Sequence, residues 1–399
     1  WIFFRMPSIT DACKVIGKIF TDFGTTLFLS NNSNMIYMLV AVCILFFKDM
    51  RDEFFPRRFL FFENRNIAIR WSSYLSNPSD RRIGFRTIHL CKLLTHAEFS
   101  DQIGHISCGL LDFGLGKIFG YLTVHATGGY TKRDNFISDE VDANILIFGS
   151  SRAAHHYVPS ILSDSLDMSC YNCGMDGNGI IYGYGKLKTI TARYYPKIVI
   201  LDIQPTFDLF RNDNCKYLAP LRPYYQYPGV DSLFWDINPS ERWKMMSNSY
   251  RFNSKFLSIL MDNLSDRAVS SDNGYMPLYD TMTYEPSKST AKKNETDPVK
   301  IRYFEQFICE VKRHSALFVF ISPEYGSNAD WPDIVEGICA KYSIPYYNYL
   351  SDKRFANNKT YFADSSHLND NGARAYTEIV AADIKCKLKP LRFTSDRFL

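Results

Sequence analysis

Two polar segments, far apart in the chain, contain the residue types of a serine-based acyl-transfer site. Residues 149–151 (Gly-Ser-Ser) directly follow an apolar stretch, and residues 364–367 (Asp-Ser-Ser-His) lie near the other end. A serine hydroxyl becomes a nucleophile when an imidazole takes its proton, and a carboxylate can hold that imidazole in the required tautomer. Each segment alone also fits a plainer interpretation, because serine often caps helices and aspartate is common in loops.

A third segment, residues 172–179 (NCGMDGNG), is rich in glycine. Glycine lets the backbone approach a ligand closely and direct N–H groups at a developing oxyanion. On its own the segment is equally typical of an ordinary loop. It gains meaning from its position between the two polar segments described above.

The elements that must position these segments follow an alternating α/β pattern. Short apolar strands are predicted at 144–148, 197–203, 316–321 and 344–349, with amphipathic helices at 299–314 and 330–342 and a third beginning near Asn369. Apolar strands that alternate with helices indicate a parallel sheet covered on both faces. Ligands bind at the carboxyl ends of such strands, which is where all three polar segments are expected.

This combination resembles the SGNH (GDSL-like) hydrolase family over about residues 140–386. The segment 149–151 matches the family's Gly-Asp-Ser block, with Ser150 in place of the usual aspartate, and 364–367 matches its Asp-x-x-His block. The resemblance implies a three-layer α/β/α flavodoxin-like fold. It also implies that Ser151 is the nucleophile, His367 the general base and Asp364 the group that orients His367.

The same resemblance implies an oxyanion hole, with one departure. The Ser151 and Gly177 N–H groups match two of the family's donors, and Gly174 is the second choice for the glycine. The family's third block contains an asparagine, whereas residues 201–206 read Leu-Asp-Ile-Gln-Pro-Thr. Gln204 can supply an amide there, but the departure weakens the third donor.

Several side chains near these segments have two interpretations. Arg152 is a candidate for binding an anionic part of the substrate, and a surface ion pair is the alternative. Asn178, in the glycine-rich segment, is a second candidate for substrate binding. His155 and His156 lie one helical turn after the serine; they are expected to be exposed on the helix, and participation in the site is the alternative.

Residues 208–298 interrupt the alternating pattern and are rich in tyrosine, tryptophan and proline. An insert at this point would cover the carboxyl edge of the sheet as a lid or substrate-binding cap. Aromatic rings suit the apolar faces of sugars, although the same rings could form a small core of the insert. The polar residues 285–298 are predicted to be a mobile loop.

The N-terminal residues have a different character. Residues 1–72 resemble the C-terminal end of a membrane-bound O-acyltransferase, and the stretches that carry the resemblance are 1–6 (WIFFRM) and 34–56. Residues 25–47 are predicted to contact a membrane, and a buried helix of a soluble domain is the alternative. That family uses a histidine within the membrane, and no histidine precedes His89. We therefore interpret 1–72 as an anchor or remnant, 73–107 as a linker, 108–390 as the hydrolase-like domain and 391–399 as a tail. A fused reading frame is the alternative for 1–107.

Composition narrows the class of protein. The chain has 399 residues, a formal net charge of +4 and a mean hydropathy of −0.20. These values exclude a polytopic membrane protein and give no support to nucleic-acid binding. The pair Cys170 and Cys173 lacks the further ligands of a zinc site, so buried small side chains are expected, and no metal or cofactor is implied.

The sequence therefore predicts a serine-dependent ester hydrolase or acyltransferase. The expected substrate is an O-acyl group, in the first instance O-acetyl, of a cell-surface polysaccharide, and a membrane O-acyltransferase is the expected partner. The family resemblance implies a bacterial cell-envelope protein, anchored in the membrane with its soluble domain in the periplasm. The alternative is a catalytically inactive SGNH-like protein that binds or helps to assemble a membrane O-acyltransferase.

Overall fold

The computed structural model describes residues 112–210, 214–253, 255–285, 295–327 and 333–392. These residues belong to a compact unit that spans Phe99–Leu399. The predicted anchor at 1–72 with its membrane contact at 25–47, the linker at 73–107 and most of the loop at 285–298 lie outside them. None of the described helices is both long enough and apolar enough to cross a membrane.

A sheet of five parallel strands forms the centre of the unit. The strands, in chain order, are β1 (Ile145–Phe148), β2 (Cys170–Asn172), β3 (Ile198–Asp202), β4 (Ala316–Ile321) and β5 (Tyr346–Asn348). Their order across the sheet is β2-β1-β3-β4-β5, and every neighbouring pair is parallel. Four of the strands were predicted. Strand β2 was not predicted, because its three residues lie within the CxxC spacing and run into the glycine-rich segment.

Helices connect the strands and flank the sheet. In chain order they are α1 (112–124), α2 (Gly129–Asn135), α3 (Ser151–His156), α4 (Pro159–Leu166), α5 (Ile180–Thr191), α6 (Pro205–Asp208), α7 (Asp231–Ile237), α8 (Glu241–Lys244), α9 (Asn248–Phe252), α10 (Phe256–Asn263), α11 (Pro298–Lys312), α12 (Asp333–Lys341), α13 (Lys353–Ala356) and α14 (Asp370–Arg392). A π-turn at Phe136–Glu140 and 3₁₀ helices at Asn214–Tyr224 and Lys359–Tyr361 complete the elements. The predicted helices at 299–314, 330–342 and from Asn369 correspond to α11, α12 and α14.

Strands β1 to β4 are buried on both faces, because successive side chains alternate between two cores, whereas β5 at the edge of the sheet is half-buried to exposed. Leu146 and Phe148 of β1 pack in one core with residues of α5, α11 and α12. Ile145 and Ile147 pack in the other with residues of α4 and α14. The expected three-layer α/β/α architecture is therefore confirmed. The strand order is that of flavodoxin-like folds, and it reverses between β1 and β3, which is where a crevice opens at the carboxyl edge.

The aromatic residues of the insert divide into two groups. Tyr217 is buried in the first core, Tyr224 is also buried, and the ammonium group of Lys186 lies 3.6 Å from the ring centre of Tyr224. These rings hold the insert onto α5. Trp243 and Tyr279, in contrast, are 70% and 79% exposed. The insert therefore has buried rings, as a small core requires, and exposed rings, as a surface for a sugar requires.

Candidate active site

The turn after β1 brings Ser151 to the carboxyl edge of the sheet. Gly149 has φ +147°, and a Cβ at this position would lie 2.6 Å from the main-chain oxygen of Asp202 at the end of β3. Only glycine allows the two strand ends to approach this closely. Ser150 then caps α3, since its main-chain oxygen accepts a hydrogen bond from the Ala154 N–H at 3.2 Å. Ser151 is the first residue of α3, where a backbone N–H has no partner within the helix.

His367 and Asp364 reach Ser151 from the loop before α14. The His367 Nε2 atom lies 2.8 Å from the Ser151 Oγ atom. On the other side of the ring, Nδ1 lies 2.9 Å from Asp364 Oδ2 and 3.0 Å from Oδ1. The structure thus places the three predicted catalytic residues in one hydrogen-bonded chain. The imidazole is 24% exposed, which leaves the site open to a substrate.

Backbone contacts fix the loop that carries this histidine. The Asp364 Oδ1 atom accepts hydrogen bonds from the N–H groups of Ser366 at 2.7 Å and His367 at 3.0 Å. The Ala363 N–H donates to the main-chain oxygen of His367 at 2.9 Å. Partial burial raises the pKa of Asp364, but the bonds and charge of His367 and the two N–H groups outweigh it and lower the pKa to about 2. The carboxylate is therefore ionised at neutral pH, and in this form it can only accept a hydrogen bond from the ring.

The glycine-rich loop after β2 packs against the backbone of α3. A Cβ on Gly174 would lie 2.5 Å from the Ala154 nitrogen, so the close approach requires glycine. The buried Asn172 side chain joins the two elements: its amide donates to the Ala153 oxygen at 2.7 Å, and its carbonyl accepts from the Gly174 N–H at 2.9 Å. Arg133 donates to the main-chain oxygens of Asn172 and Gly174, both at 2.8 Å. The sequence analysis missed the roles of Asn172 and Arg133.

The two other predicted oxyanion donors lie on segments that a single carboxylate connects. Gly177 has φ +67°, and within the described residues its N–H has no hydrogen-bond partner. The Gln204 side-chain amide is likewise unpaired in the described part of the chain. Asp208 accepts from the Ile180 N–H at 3.1 Å and from the Gln204 N–H at 2.9 Å. Burial raises the pKa of Asp208 to about 7.

Arg152 lies inside the protein instead of in the site. Its side chain is fully buried, donates to the Ser322 oxygen at 3.2 Å and pairs with Glu324. In this position the guanidinium holds the segment after β4 and does not meet solvent. The geometry agrees with the ion-pair interpretation, although the pair is half-buried instead of lying on the surface. Asn178 lies at the edge of the glycine-rich loop, where its amide donates to the Asp176 oxygen at 2.9 Å.

The expectation that His155 and His156 are exposed is wrong, because α3 is covered on several sides. His156 is fully buried, and its Nε2 accepts a hydrogen bond from the Leu368 N–H at 2.9 Å. Burial, and then the charge of Arg152, lower the pKa of His156 well below the usual value, so this ring is neutral. His155 is also buried, and its Nε2 lies 3.1 Å from Asp176 Oδ1.

A segment of the insert, residues 275–282, runs along the same site. The Met276 N–H donates to the Ala154 oxygen at 3.0 Å, the Asp370 N–H donates to the Leu278 oxygen at 2.7 Å, and the Met282 N–H donates to the Phe362 oxygen at 2.8 Å. These bonds attach the segment both to α3 and to the loop that carries His367. The exposed Tyr279 side chain stands on this segment.

The two cysteines of the CxxC spacing are free and buried, as expected. Burial raises the pKa of the Cys173 thiol to about 12. A thiol needs its anionic form to attack a substrate, so Cys173 does not compete with Ser151 as a nucleophile.

Comparisons with known proteins add little to this geometry. No protein-family model and no curated protein matches the chain. Among solved structures, a protein from Streptococcus pneumoniae proposed to be a platelet activating factor is similar over 69% of this chain and 96% of its own length, at 14% identity and a TM-score of 0.32. A TM-score this low carries no argument about function. The SGNH resemblance therefore stays a prediction made from the sequence.

Proposed function

We propose that the protein is a serine-dependent ester hydrolase or acyltransferase. The observation that carries this proposal is the chain of hydrogen bonds from Ser151 Oγ through His367 to Asp364, at 2.8 Å and 2.9 Å. The Asp364 carboxylate accepts a hydrogen bond from His367 Nδ1, so the proton of the neutral ring lies on Nδ1. The Nε2 atom therefore keeps a lone pair directed at the serine hydroxyl. This is the arrangement that an acyl-transfer nucleophile needs.

In the proposed reaction, Ser151 Oγ attacks the acyl carbonyl while His367 Nε2 takes the serine proton. The tetrahedral oxyanion is held by the unpaired N–H groups of Ser151 and Gly177, together with the Gln204 amide. When the intermediate collapses, the bond to the leaving oxygen breaks and His367 gives the serine proton to the leaving alkoxide. Water in a hydrolase, or a sugar hydroxyl in a transferase, then attacks the acyl group on Ser151 and gives its proton to His367, which passes that proton to Ser151 Oγ as the acyl–serine bond breaks.

The proposed substrate is an O-acyl group, in the first instance O-acetyl, on a polysaccharide. Support comes from Tyr279, which is 79% exposed on the segment attached to both sides of the site. An exposed ring on a segment bonded to α3 and to the region around His367 offers an apolar surface for a sugar face. The cell-envelope location, the periplasmic domain and the membrane O-acyltransferase partner depend on residues 1–72, and they stay predictions.

Reaction of the full chain with a fluorophosphonate probe tests the nucleophile. Wild type is compared with Ser151→Ala and His367→Ala, and with Ser163→Ala on α4 as a matched control. We expect the probe to label wild type and Ser163→Ala, and to leave Ser151→Ala and His367→Ala unlabelled. Folded wild type that labels no more than Ser151→Ala would refute catalysis and favour the inactive binding partner of a membrane O-acyltransferase.

The substrate class has a separate test. Tyr279→Ala should raise KM for an acetylated polysaccharide by about ten-fold, the equivalent of about 1.4 kcal/mol of lost stacking. Hydrolysis of p-nitrophenyl acetate, which carries no sugar, should not change. Equal effects of Tyr279→Ala on both substrates, or none on either, would argue against a sugar on this surface.

A further inference from the structure

A second histidine–carboxylate pair lies beside the proposed triad, and the mechanism above does not use it. His155 is four residues after Ser151 on α3, so the two side chains are neighbours on one face of the helix. Its ring centre is 5.5 Å from that of His367, and the ring planes are nearly perpendicular, at 84°. Its partner is Asp176, in the glycine-rich loop.

Both ring nitrogens of His155 face atoms that can only accept a proton. Nδ1 is hydrogen-bonded to the main-chain oxygen of Met276, and Nε2 lies 3.1 Å from Asp176 Oδ1. A carbonyl oxygen has no proton to donate, and an ionised carboxylate has none either. A neutral imidazole could satisfy only one of these contacts. The two together require a doubly protonated, positively charged ring with a side chain that is only 10% exposed.

Asp176 directly precedes Gly177, whose N–H is one of the proposed oxyanion donors. The loop closes on itself at this point, since the Asn178 amide donates to the Asp176 main-chain oxygen at 2.9 Å. A Cβ on Gly177 would meet nothing within 4 Å, so packing alone does not hold this residue. The contact between His155 and Asp176 is thus a direct connection from the nucleophile helix to the tip of the oxyanion loop.

We propose that His155 is a positioning residue: in its charged form it holds Asp176, and through Asp176 the Gly177 N–H, in place beside Ser151. Loss of the His155 proton at alkaline pH removes one of the two hydrogen bonds and the positive charge that attracts Asp176, and so weakens the hold on the loop. This inference rests on the proposed acyl-transfer function, because it concerns a donor of the same site.

The charges around His155 agree with this assignment. Asp176 faces it from the glycine-rich loop, Asp364 and His367 face it from the loop before α14, and His156 is its neutral neighbour on α3. Burial lowers the pKa of His155, but the Asp176 carboxylate, the Met276 carbonyl and the Asp364 charge raise it by more, so the pKa lies above the usual value. The pKa of Asp176 is raised by burial and lowered more by His155, so its carboxylate stays ionised.

Turnover of p-nitrophenyl acetate by the full chain tests the role, with kcat and KM measured from about pH 6 to about pH 9. We expect wild-type kcat to fall on the alkaline side. Asp176→Asn, which cannot stabilise an imidazolium by charge, should lower kcat about ten-fold and move the fall to lower pH, with KM changed less than about two-fold. His155→Gln should lower kcat and remove the alkaline fall. Asp164→Asn, an exposed carboxylate on α4, is the control and should behave as wild type.

A purely structural role predicts a different result. If Asp176→Asn and His155→Gln lowered kcat equally at every pH, with the alkaline fall unmoved, positioning by charge would be refuted. Ring-nitrogen NMR of the full chain, labelled with ¹⁵N-histidine and ¹⁵N-glycine, covers the case in which wild type shows no turnover. His155 should then be doubly protonated at neutral pH, and the Gly177 amide signal should shift with the same midpoint as His155. A neutral His155, or a Gly177 signal that does not follow it, would overturn the inference independently of catalysis.

Discussion

Replacing Asp364 with asparagine changes one atom of the carboxylate that holds His367. The Oδ1 atom accepts the N–H groups of Ser366 and His367 at 2.7 Å and 3.0 Å, so the asparagine carbonyl will take this place. The asparagine NH₂ group then occupies the position of Oδ2, which lies 2.9 Å from His367 Nδ1. Because an NH₂ group is a donor, and the carbonyl at the Oδ1 position, 3.0 Å from Nδ1, already accepts two backbone N–H groups, the tautomer with Nδ1 as acceptor is favoured. The ring proton moves to Nε2, where it faces Ser151 and blocks proton removal.

The size of the effect follows from two losses. The charged imidazolium loses a hydrogen bond to a carboxylate, which is worth about 2–3 kcal/mol. Restoring the productive tautomer against the asparagine NH₂ group costs at least another ~1–2 kcal/mol. Together they amount to about 4 kcal/mol, or about a 10³-fold loss of kcat. Asp364→Ala suffers only the first loss, since alanine imposes no tautomer, so its kcat should fall about 10²-fold.

The stabilities of the two variants should rank in the opposite order, with Asp364→Asn more stable than Asp364→Ala. Asparagine keeps an acceptor for the two backbone N–H groups, whereas alanine leaves both unpaired and should lower the free energy of unfolding by about 1–2 kcal/mol. The folded-state pKa of Asp364 is lowered to about 2, so its ionisation stabilises the fold above about pH 4 and loses that effect as the pH falls toward 2. Since the side chain is 44% exposed, this contribution amounts to only about 1 kcal/mol, and Asp364→Asn should not show it.

Steady-state hydrolysis of p-nitrophenyl acetate measures the order of the kcat values, and urea unfolding measures the order of the stabilities. Both assays use the full chain. Asp352→Asn is the control, because Asp352 caps α13 through the Arg354 N–H at 2.9 Å and has no contact with the triad. An Asp364→Asn enzyme more active than Asp364→Ala, or one within about ten-fold of wild type, would show that the carboxylate does not select the tautomer of His367.

Four further substitutions test the structure around the site. His156→Ala removes a buried ring and the acceptor of the Leu368 N–H, so urea unfolding should show a loss of about 3 kcal/mol; a loss below about 1 kcal/mol would contradict the packing described here. Gly177→Ala places a side chain at φ +67° in open space and should cost only about 1 kcal/mol of stability while lowering kcat, whereas Gly174→Ala collides with the backbone of α3 and should prevent stable folding; equal melting temperatures of the two variants would refute this distinction. Arg152→Lys should lower the free energy of unfolding by about 2–3 kcal/mol and leave KM within about two-fold of wild type, and a large rise in KM alone would restore its predicted role in substrate binding.

The sequence was most informative where local pattern and packing agree. The strands β1, β3 and β4 are runs of four to six residues that are almost completely buried, and such runs stand out in a chain of ordinary composition. The helical spacing of Tyr303, Phe304, Phe307, Ile308 and Val311 predicted α11, and all five side chains are buried. The same pattern puts a polar segment after each strand at the carboxyl edge of the sheet. Topology therefore predicted that Ser151 and His367 lie at the same edge of the sheet, and the SGNH resemblance implied that the two side chains meet there.

Where prediction failed, the cause is tertiary contact. Strand β2 has only three residues and ends in a polar one, so no period can be read from it. Arg152 was a candidate for substrate binding because arginine is seldom buried, and only the Ser322 oxygen and Glu324, more than a hundred residues away, give it partners inside the protein. An asparagine at the end of a strand, as at Asn172, is a signal that could have revealed the brace between β2 and α3.

Helix α3 shows why the histidines could not be predicted and what they do for the site. It has six residues, of which all but Ser151 are buried. Burying polar side chains requires a partner for each. These partners come from distant segments: Glu324 after β4 for Arg152, Asp176 in the glycine-rich loop for His155, and the Leu368 N–H beside His367 for His156. The helix that carries the proposed nucleophile is thus bonded, through its own side chains, to the loops of the proposed oxyanion donor and base. The relative position of Ser151, Gly177 and His367 is therefore determined by residues that touch no substrate.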